Sequence, residues 1–149
     1  MPVIPNLLAK SRSPAVVALG MFDGVHIGHQ RLIRAAVLEA RRLRGTSVVV
    51  TFEPDPQHIL NPARASAPLL PLDARIKAIH ALGAQRVVVI PFTRRFAQTT
   101  AQAFVQALLV RRLRARRIVV GRSFVFGHER RGSLATLRTM GRRADGHLR

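Results

Sequence analysis

The chain has 149 residues, 48% of them hydrophobic, which suits one domain with a substantial core and is too short for two domains of ordinary size. It contains no cysteine, which excludes disulfide frameworks, thiolate metal sites and thiol nucleophiles. The formal net charge of +18 comes almost wholly from arginine and favours polyanionic ligands, either nucleotide phosphates or nucleic acid.

Composition also bears on where the protein acts. Without cysteine, nothing favours an oxidising compartment, so we expect a cytoplasmic protein. Lys10 and Arg12 precede an apolar stretch of about five residues, far short of the roughly 18 that a membrane span needs, so we expect neither a signal peptide nor an anchor. The arginines follow helix faces and the phenylalanines do not alternate with them, which favours a solvated basic surface over nucleic-acid binding. The sequence predicts no particular oligomeric state.

Hydrophobic periodicity divides the chain into alternating strands and helices. The proline-rich residues 1–14 are predicted to form an irregular arm, and residues 141–149 a loose basic tail. Short apolar runs predict strands at residues 16–19, 47–52, 86–90 and 118–120. Helical spacing predicts helices at residues 28–44, 74–82, 100–113 and 134–140, with Gly45 ending the first and Asp73 capping the second. A polar loop is expected at residues 93–100.

This alternation predicts the fold class. Residues 15–140 should form one α/β domain with a Rossmann-like, doubly wound parallel sheet. Ligands of such sheets bind at the carboxyl ends of the strands. The turns that carry glycine and histidine all follow predicted strands, and the long loop after residue 52 lies at the same edge. We therefore expect the functional site at this edge of the sheet.

Two histidines lie where the first predicted strand gives way to the first helix. His26 and His29 follow a glycine-rich turn, at a helix N-terminus whose free amides and dipole favour an anion. Imidazole N–H groups there can bind a triphosphate and stabilise charge that develops on the α-phosphate and on departing pyrophosphate. Such a transfer depends on positioning and electrostatics, without a covalent enzyme intermediate. The same spacing also allows the two histidines simply to face each other on a helix, or to bind a metal.

Residues 20–30, GMFDGVHIGHQ, resemble the GxFDGVHxGHQ motif of bacterial FAD synthetase. This is the FMN adenylyltransferase module of the bifunctional riboflavin kinase/FMN adenylyltransferase family, within the HxGH nucleotidyltransferase superfamily. The likeness continues, in order and at similar spacing, through residues 51–56, 91–97, 104–105 and 120–127. It covers most of the chain between residues 15 and 140.

The resemblance implies a reaction in which ATP and FMN give FAD and pyrophosphate, with Mg²⁺ as cofactor. It implies His26 and His29 as the catalytic pair. The implied ATP-binding residues are Gly20, Phe22, Asp23, Gly24, His26, Gly28 and His29, and the implied FMN-binding residues are Pro54, Asp55, Ser123, Phe124, Phe126 and Gly127. Simpler roles are open for some of them: Asp23 as a turn cap, and Phe124 and Phe126 as core residues.

Three features depart from the family pattern. Ser123 takes the place of the usual Asp or Asn, and Asp55 takes the place of His in the FxPHP-like turn. The sequence ends at Arg149, before the SSTxIR-like motif and the fifth strand that precedes it, so we expect an incomplete sheet, catalysis limited by the missing motif and no riboflavin kinase domain. One alternative is an HxGH adenylyltransferase for another phosphorylated acceptor, such as pantetheine phosphate or nicotinamide mononucleotide. The other is a non-catalytic, basic relative that binds nucleic acid.

Overall fold

A computed structural model describes residues 13–65, 67, 69–121 and 126–143. Its strands are β1 (Ala15–Leu19), β2 (Thr46–Glu53), β3 (Arg86–Pro91) and β4 (Ala115–Val119). They form one parallel sheet in the order β3-β2-β1-β4. Parallel neighbours require crossover connections, and the helices supply them. The predicted doubly wound α/β fold is therefore confirmed.

The helices follow the strands in alternation. They are α1 (Ile27–Arg42), α2 (Pro56–Leu60), α3 (Leu72–Ala81), α4 (Arg94–Ala97), α5 (Ala101–Ala103) and α6 (Leu134–Arg143). Helix α5 continues into a π-helical segment (Phe104–Arg112), and two short 3₁₀ turns lie at Pro62–Arg64 and His128–Arg130. The segment after β2 is therefore more regular than the expected loop.

Each face of the sheet is covered by its own hydrophobic layer. Every residue of β1 is buried, and alternate side chains point to opposite faces. Val16 and Ala18 pack with α1 and α3, whereas Val17 and Leu19 pack with the π-helical segment. A strand buried on both faces reads as a continuous apolar run, which is why the sequence located β1 and β2 well. The loops at the carboxyl ends of the strands are left to form the site.

The prediction that Asp73 caps α3 is wrong. The cap residue is Pro71, and Asp73 lies in the first turn, where its Oδ1 accepts the amide of Ala74 at 2.9 Å. Proline has no side chain that can accept an amide, so α3 begins without a side-chain cap. The helix therefore begins before the acidic residue that the sequence pattern favoured as its cap.

The prediction of a polar loop at residues 93–100 is also wrong, because these residues contain α4. Thr93 caps this turn of helix by accepting the amide of Phe96 on Oγ1 at 3.0 Å, and Phe96 is buried. Thr100 caps α5 in the same way, accepting the amide of Ala103 at 3.1 Å. The polar residues that suggested a loop are helix caps.

The boundaries of two further elements differ from expectation. β4 begins at Ala115, so Arg116 and Arg117 are strand residues, and α6 continues to Arg143. β4 is an edge strand of the described sheet, where charged side chains reach solvent, and Arg117 pairs with Glu39 of α1 at 3.3 Å. An arginine-rich strand of this kind lacks the apolar run that marks β1.

Gly45 follows the left-handed residue that ends α1, and its amide donates to the Ala40 carbonyl at 2.8 Å. The residue with left-handed backbone at the end of α1 is Arg44, with φ of +54°. A Cβ on Gly45 would collide with the backbone oxygen of Pro14. Glycine is needed there because two segments of backbone approach closely.

Candidate active site

The turn between β1 and α1 has a strained backbone. Phe22 and Val25 both have positive φ, +51° and +46°, and the amide of Val25 donates to the Phe22 carbonyl at 3.2 Å. Such values are unusual for bulky and β-branched residues and are maintained only where the surroundings enforce them. Here the Thr51 hydroxyl donates to the Met21 carbonyl at 2.8 Å, and Phe22 is fully buried. The turn is thus fixed by β2 and by the core.

The structure brings His26 and His29 together at the N-terminus of α1. His26 is the N-cap residue: its Nδ1 accepts the amides of Gly28 at 3.1 Å and His29 at 3.4 Å. The two imidazole rings stack, with centroids 3.5 Å apart and planes inclined by 23°. Because Nδ1 of His26 accepts hydrogen bonds, the neutral ring carries its proton on Nε2, and the side chain is exposed. An N–H donor is therefore available at the helix end.

His29 lies in a less polar environment than His26. Its ring meets the ring of the buried Phe22 edge-on at a centroid distance of 5.3 Å, and its Nδ1 is buried without a hydrogen-bond partner among the described residues. Burial lowers the pKa of His29, the neighbouring His26 lowers it further, and Asp23 opposes both. The ring is therefore a neutral imidazole at neutral pH, and a bound anion would favour its protonated form.

The remaining implied ATP residues surround this pair. A Cβ on Gly20 would meet the Phe22 ring at 3.0 Å, and one on Gly28 would meet the His26 ring at 3.1 Å. A Cβ on Gly24 would meet Leu69 at 3.1 Å, and Asp23 accepts the Leu69 amide on Oδ1 at 3.1 Å. The glycines thus allow close packing around the turn, while Asp23 ties it to the segment before α3.

A cavity of about 900 Å³ opens beside this turn, at the carboxyl edge of the sheet. Met21, next to the strained Phe22, is one of its walls. The aromatic lining residues are Phe52, Phe92, Phe96, Phe104 and Phe126. Their rings contact one another with centroids between 5.5 and 6.5 Å apart.

Ionisable side chains also line the cavity. They are Arg94, His128 and Arg130, with Asp55 as the acidic residue among its lining. The cavity therefore suits a flat aromatic ligand that carries negative charge.

The implied FMN residues occupy different places around this cavity. Asp55 lines it and caps α2, accepting the amide of Gln57 on Oδ1 at 2.8 Å, whereas Pro54 lies half-buried in the turn between β2 and α2. Phe126 and Gly127 also line it. Phe126 is both core and cavity wall, since it is buried against Phe104. Ser123 and Phe124 lie outside the described residues.

Gly127 closes the cavity against α5. Its φ is +78°, and a Cβ there would lie 2.7 Å from the backbone nitrogen of Ala101. The next amide, that of His128, donates to the Thr99 carbonyl at 2.8 Å. The segment after β4 is thus bound to the segment after β3, which brings Phe126 into the aromatic group.

The sequence did not assign four of the aromatic cavity residues. Phe52, Phe92, Phe96 and Phe104 belong to the stretches that resemble FAD synthetase, so the resemblance contained a signal for them. They come from β2, the residue directly after β3, α4 and the π-helical segment. Periodicity alone could not show that these four elements converge.

Within the described ranges, no helix combines the length and apolar character that crossing a bilayer requires. The same ranges contain no group of three or more metal-ligating side chains placed to hold an ion. The expected cytoplasmic location stays a prediction.

Known proteins resemble this chain over most of its length. Residues 8–149 match the model of the family described as FAD synthetase. The bifunctional riboflavin kinase/FMN adenylyltransferase of Escherichia coli strain K12 is 36% identical over 138 residues, which cover 93% of this chain and 44% of that protein. A putative bifunctional riboflavin kinase/FMN adenylyltransferase of Geobacillus thermodenitrificans is 38% identical over 124 residues, covering 83% of this chain and 66% of that protein. The chain spans less than half the length of the E. coli relative.

A solved structure is similar over nearly the same extent. It is titled a macrolide-efflux protein from Streptococcus pneumoniae, and it matches with a TM-score of 0.78 and 31% identity over 91% of this chain and 45% of that chain. The similarity supports the Rossmann-like fold. Because the family match covers almost the whole sequence, the chain belongs to the FAD synthetase family.

Proposed function

We propose that this chain transfers the adenylyl group of ATP to FMN, giving FAD and pyrophosphate. The observation that carries the proposal is that one turn contributes to two adjacent sites, the histidine pair and the aromatic cavity. The turn presents His26 and His29 at the start of α1, and through Met21 it also forms a wall of the aromatic cavity. Family membership supports this assignment of the two sites.

In this mechanism an oxygen of the FMN phosphate attacks the α-phosphorus of ATP in line. One phosphorus–oxygen bond forms as the bond to the departing pyrophosphate breaks. The Nε2–H of His26 donates to phosphate oxygens, and His29 adds a second imidazole whose protonated form a bound phosphate would favour against the effect of burial. Both stabilise charge that grows in the transition state, which is the main catalytic requirement of phosphoryl-type transfer.

The acceptor would occupy the cavity with its ring system among the phenylalanines. Phe52 and Phe104 contribute buried faces, and the half-buried Phe92 contributes an accessible one. The cationic side chains of the lining favour an anionic flavin over a neutral one. Binding of FMN therefore distinguishes the proposed reaction from adenylyl transfer to a non-aromatic phosphorylated acceptor.

Magnesium, implied by the family, would be held mainly by phosphate oxygens and water, because Mg²⁺ takes few protein ligands in nucleotide sites. Asp23 is the carboxylate that the turn offers it. When bound, the ion neutralises charge on the pyrophosphate group.

The direct test is formation of FAD from ATP and FMN by the purified 149-residue chain. His29→Ala should lower the rate by about 10²-fold or more, because it removes a group that stabilises transition-state charge. His80→Ala is the matched control, since His80 is an exposed histidine on α3 far along the chain from the turn. A folded protein that binds neither FMN nor ATP would overturn the proposal. Adenylylation of another phosphorylated acceptor, without quenching of FMN fluorescence, would reassign the acceptor.

A further inference from the structure

Helix α3 buries an arginine at the edge of the sheet where the candidate site lies. Arg75 is 2% exposed, and the residues buried by the helix are Arg75 and Ile79, one turn apart on the same face. Burying a guanidinium is costly, and well-packed apolar residues often replace a buried ion pair without loss of stability. Packing alone therefore gives no reason for an arginine at this position.

The contacts of Arg75 show what the charge does. One terminal nitrogen, Nη2, donates to the Phe52 carbonyl at 3.1 Å and to the Glu53 carboxylate at 2.9 Å. Both acceptors are the last residues of β2. The Nε atom of Arg75 is buried and has no hydrogen-bond partner within the described part of the chain. The guanidinium is thus aimed at the end of a single strand.

The sheet topology explains why β2 needs this partner. Val50 directs its carbonyl towards β1, where the Gly20 amide donates to it at 3.2 Å, and in a strand the carbonyl two residues later points the same way. The pairing of β1 with β2 ends at Leu19 and Val50, so the Phe52 carbonyl extends beyond β1. On the other side, the Glu53 carbonyl accepts the Phe92 amide at 2.9 Å. Arg75 supplies the hydrogen bond that β1 no longer provides.

This end of β2 leads directly into the proposed acceptor site. The Phe52 ring is a cavity wall, and the residues after Glu53 are Pro54 and Asp55, the second of which also lines the cavity. We propose that Arg75 is a positioning residue for the acceptor site, fixing the end of β2 so that Phe52 and the turn at Pro54 and Asp55 present a preformed surface to FMN. This inference rests on the proposed function and adds to it a residue that does not touch the ligand.

The experiment compares ligand affinities of the full chain and its variants. In Arg75→Met, we expect the Kd for FMN, measured by flavin fluorescence quenching, to rise about tenfold or more, because the end of β2 loses its hydrogen-bond donor. The Kd for a non-hydrolysable ATP analogue should change less than about twofold, since the turn after β1 keeps its own bonds to β2. Arg75→Lys should restore most of the FMN affinity, because one ammonium group can donate to both acceptors.

Two further variants separate positioning from a general loss of stability. Lys77→Met removes an exposed charge from the same helix and should leave both affinities unchanged. Glu53→Gln leaves Arg75 in place but breaks the ion pair, and it should weaken FMN binding in the same direction as Arg75→Met. A lower melting temperature in Arg75→Met with unchanged FMN affinity would overturn the inference, as would equal losses for both ligands. If the unaltered chain itself bound no FMN, the proposed function would be refuted, and with it the role of Arg75 that rests on it.

Discussion

The imidazole of His26 accepts two backbone amides and presents its other nitrogen outward. Amides at a helix N-terminus need partners, and N-cap side chains usually come from Ser, Thr, Asp or Asn. A histidine can cap the helix through one ring nitrogen and keep an N–H donor for a ligand on the other, whereas an ionised Asp has no donor at all. At this position the requirements of the fold and of the proposed chemistry therefore coincide in one side chain.

Two substitutions of His26 should separate these roles. His26→Asn retains a capping side chain, so the free energy of unfolding should stay within a few tenths of a kcal/mol, whereas His26→Ala should lose about 1 kcal/mol. Both variants should lose most FAD synthesis, because both lack the imidazole donor. Urea unfolding and a FAD assay on the same preparations provide the measurement. Equal stability of the two variants would show that the cap contributes nothing.

His29 should make stability depend on pH. Its pKa is lowered in the folded protein, mainly by burial, so the folded state disfavours the protonated ring. A group of this kind contributes stability above its unfolded pKa, about 6.5 for histidine, and that stability is lost as the pH falls towards the lowered folded pKa. We therefore expect the free energy of unfolding, measured with urea, to fall more between a pH above 6.5 and a pH below it in the unaltered protein than in His29→Gln. The glutamine does not titrate. If the unfolding free energies of the two proteins fell equally as the pH was lowered, His29 would not be the source of the pH dependence.

At the scale of elements, the short helices and turns around the cavity are ordered by caps and close contacts rather than by length. α2 and α4 have five and four residues, too few to be stable alone. They are fixed by Asp55 and Thr93 at their N-termini, and α4 also buries Phe96. Sequence patterns one turn long are dominated by these polar caps, which explains why α4 resembled a loop.

Gly127→Ala should damage this arrangement. The variant places a side chain in the left-handed region and against the backbone of Ala101, so we expect a loss of about 2 kcal/mol or more of unfolding free energy. FMN affinity should fall as well, because Gly127 lines the cavity. Gly121→Ala is the matched control, since none of the residues that the structure describes lies within 4 Å of the added carbon. Chemical denaturation and flavin titration measure the two effects, and equal stabilities of the two variants would refute the packing argument.

At the scale of the whole molecule, the five cavity phenylalanines connect elements that are distant in the chain. Residues 52, 92, 96, 104 and 126 form one group of touching rings that is both part of the core and the lining of a cavity. A ligand that fills this cavity binds the folded chain alone and should stabilise it by mass action.

FMN at about one hundred times its Kd should therefore raise the free energy of unfolding by about 2.7 kcal/mol. Riboflavin at the same concentration should raise it less, because it lacks the phosphate that the cationic lining attracts. Thermal unfolding followed by circular dichroism, with and without each flavin, provides the measurement. A melting temperature indifferent to FMN would argue against flavin binding in this cavity.

The sequence by itself determined the layers of the fold and the nucleotide turn. Continuous β-branched runs are characteristic of strands buried on both faces, so β1, β2 and β3 were located closely. The histidine pair was identified because a glycine-rich turn, a helix start and a specific motif coincide within residues 20–30. These features involve residues close together in the sequence, so they can be recognised without the tertiary structure.

Tertiary structure alone decided how the acceptor side is built. The ring contacts of the five phenylalanines depend on which strand ends lie side by side, and the order β3-β2-β1-β4 fixes this. The role of Arg75 depends on β2 extending beyond β1, a difference in strand length that no periodicity reports. The turn at His26 could be predicted because its functional residues are contiguous in sequence. The cavity, and the contact of Arg75 with the end of β2, arise from residues that only folding brings together.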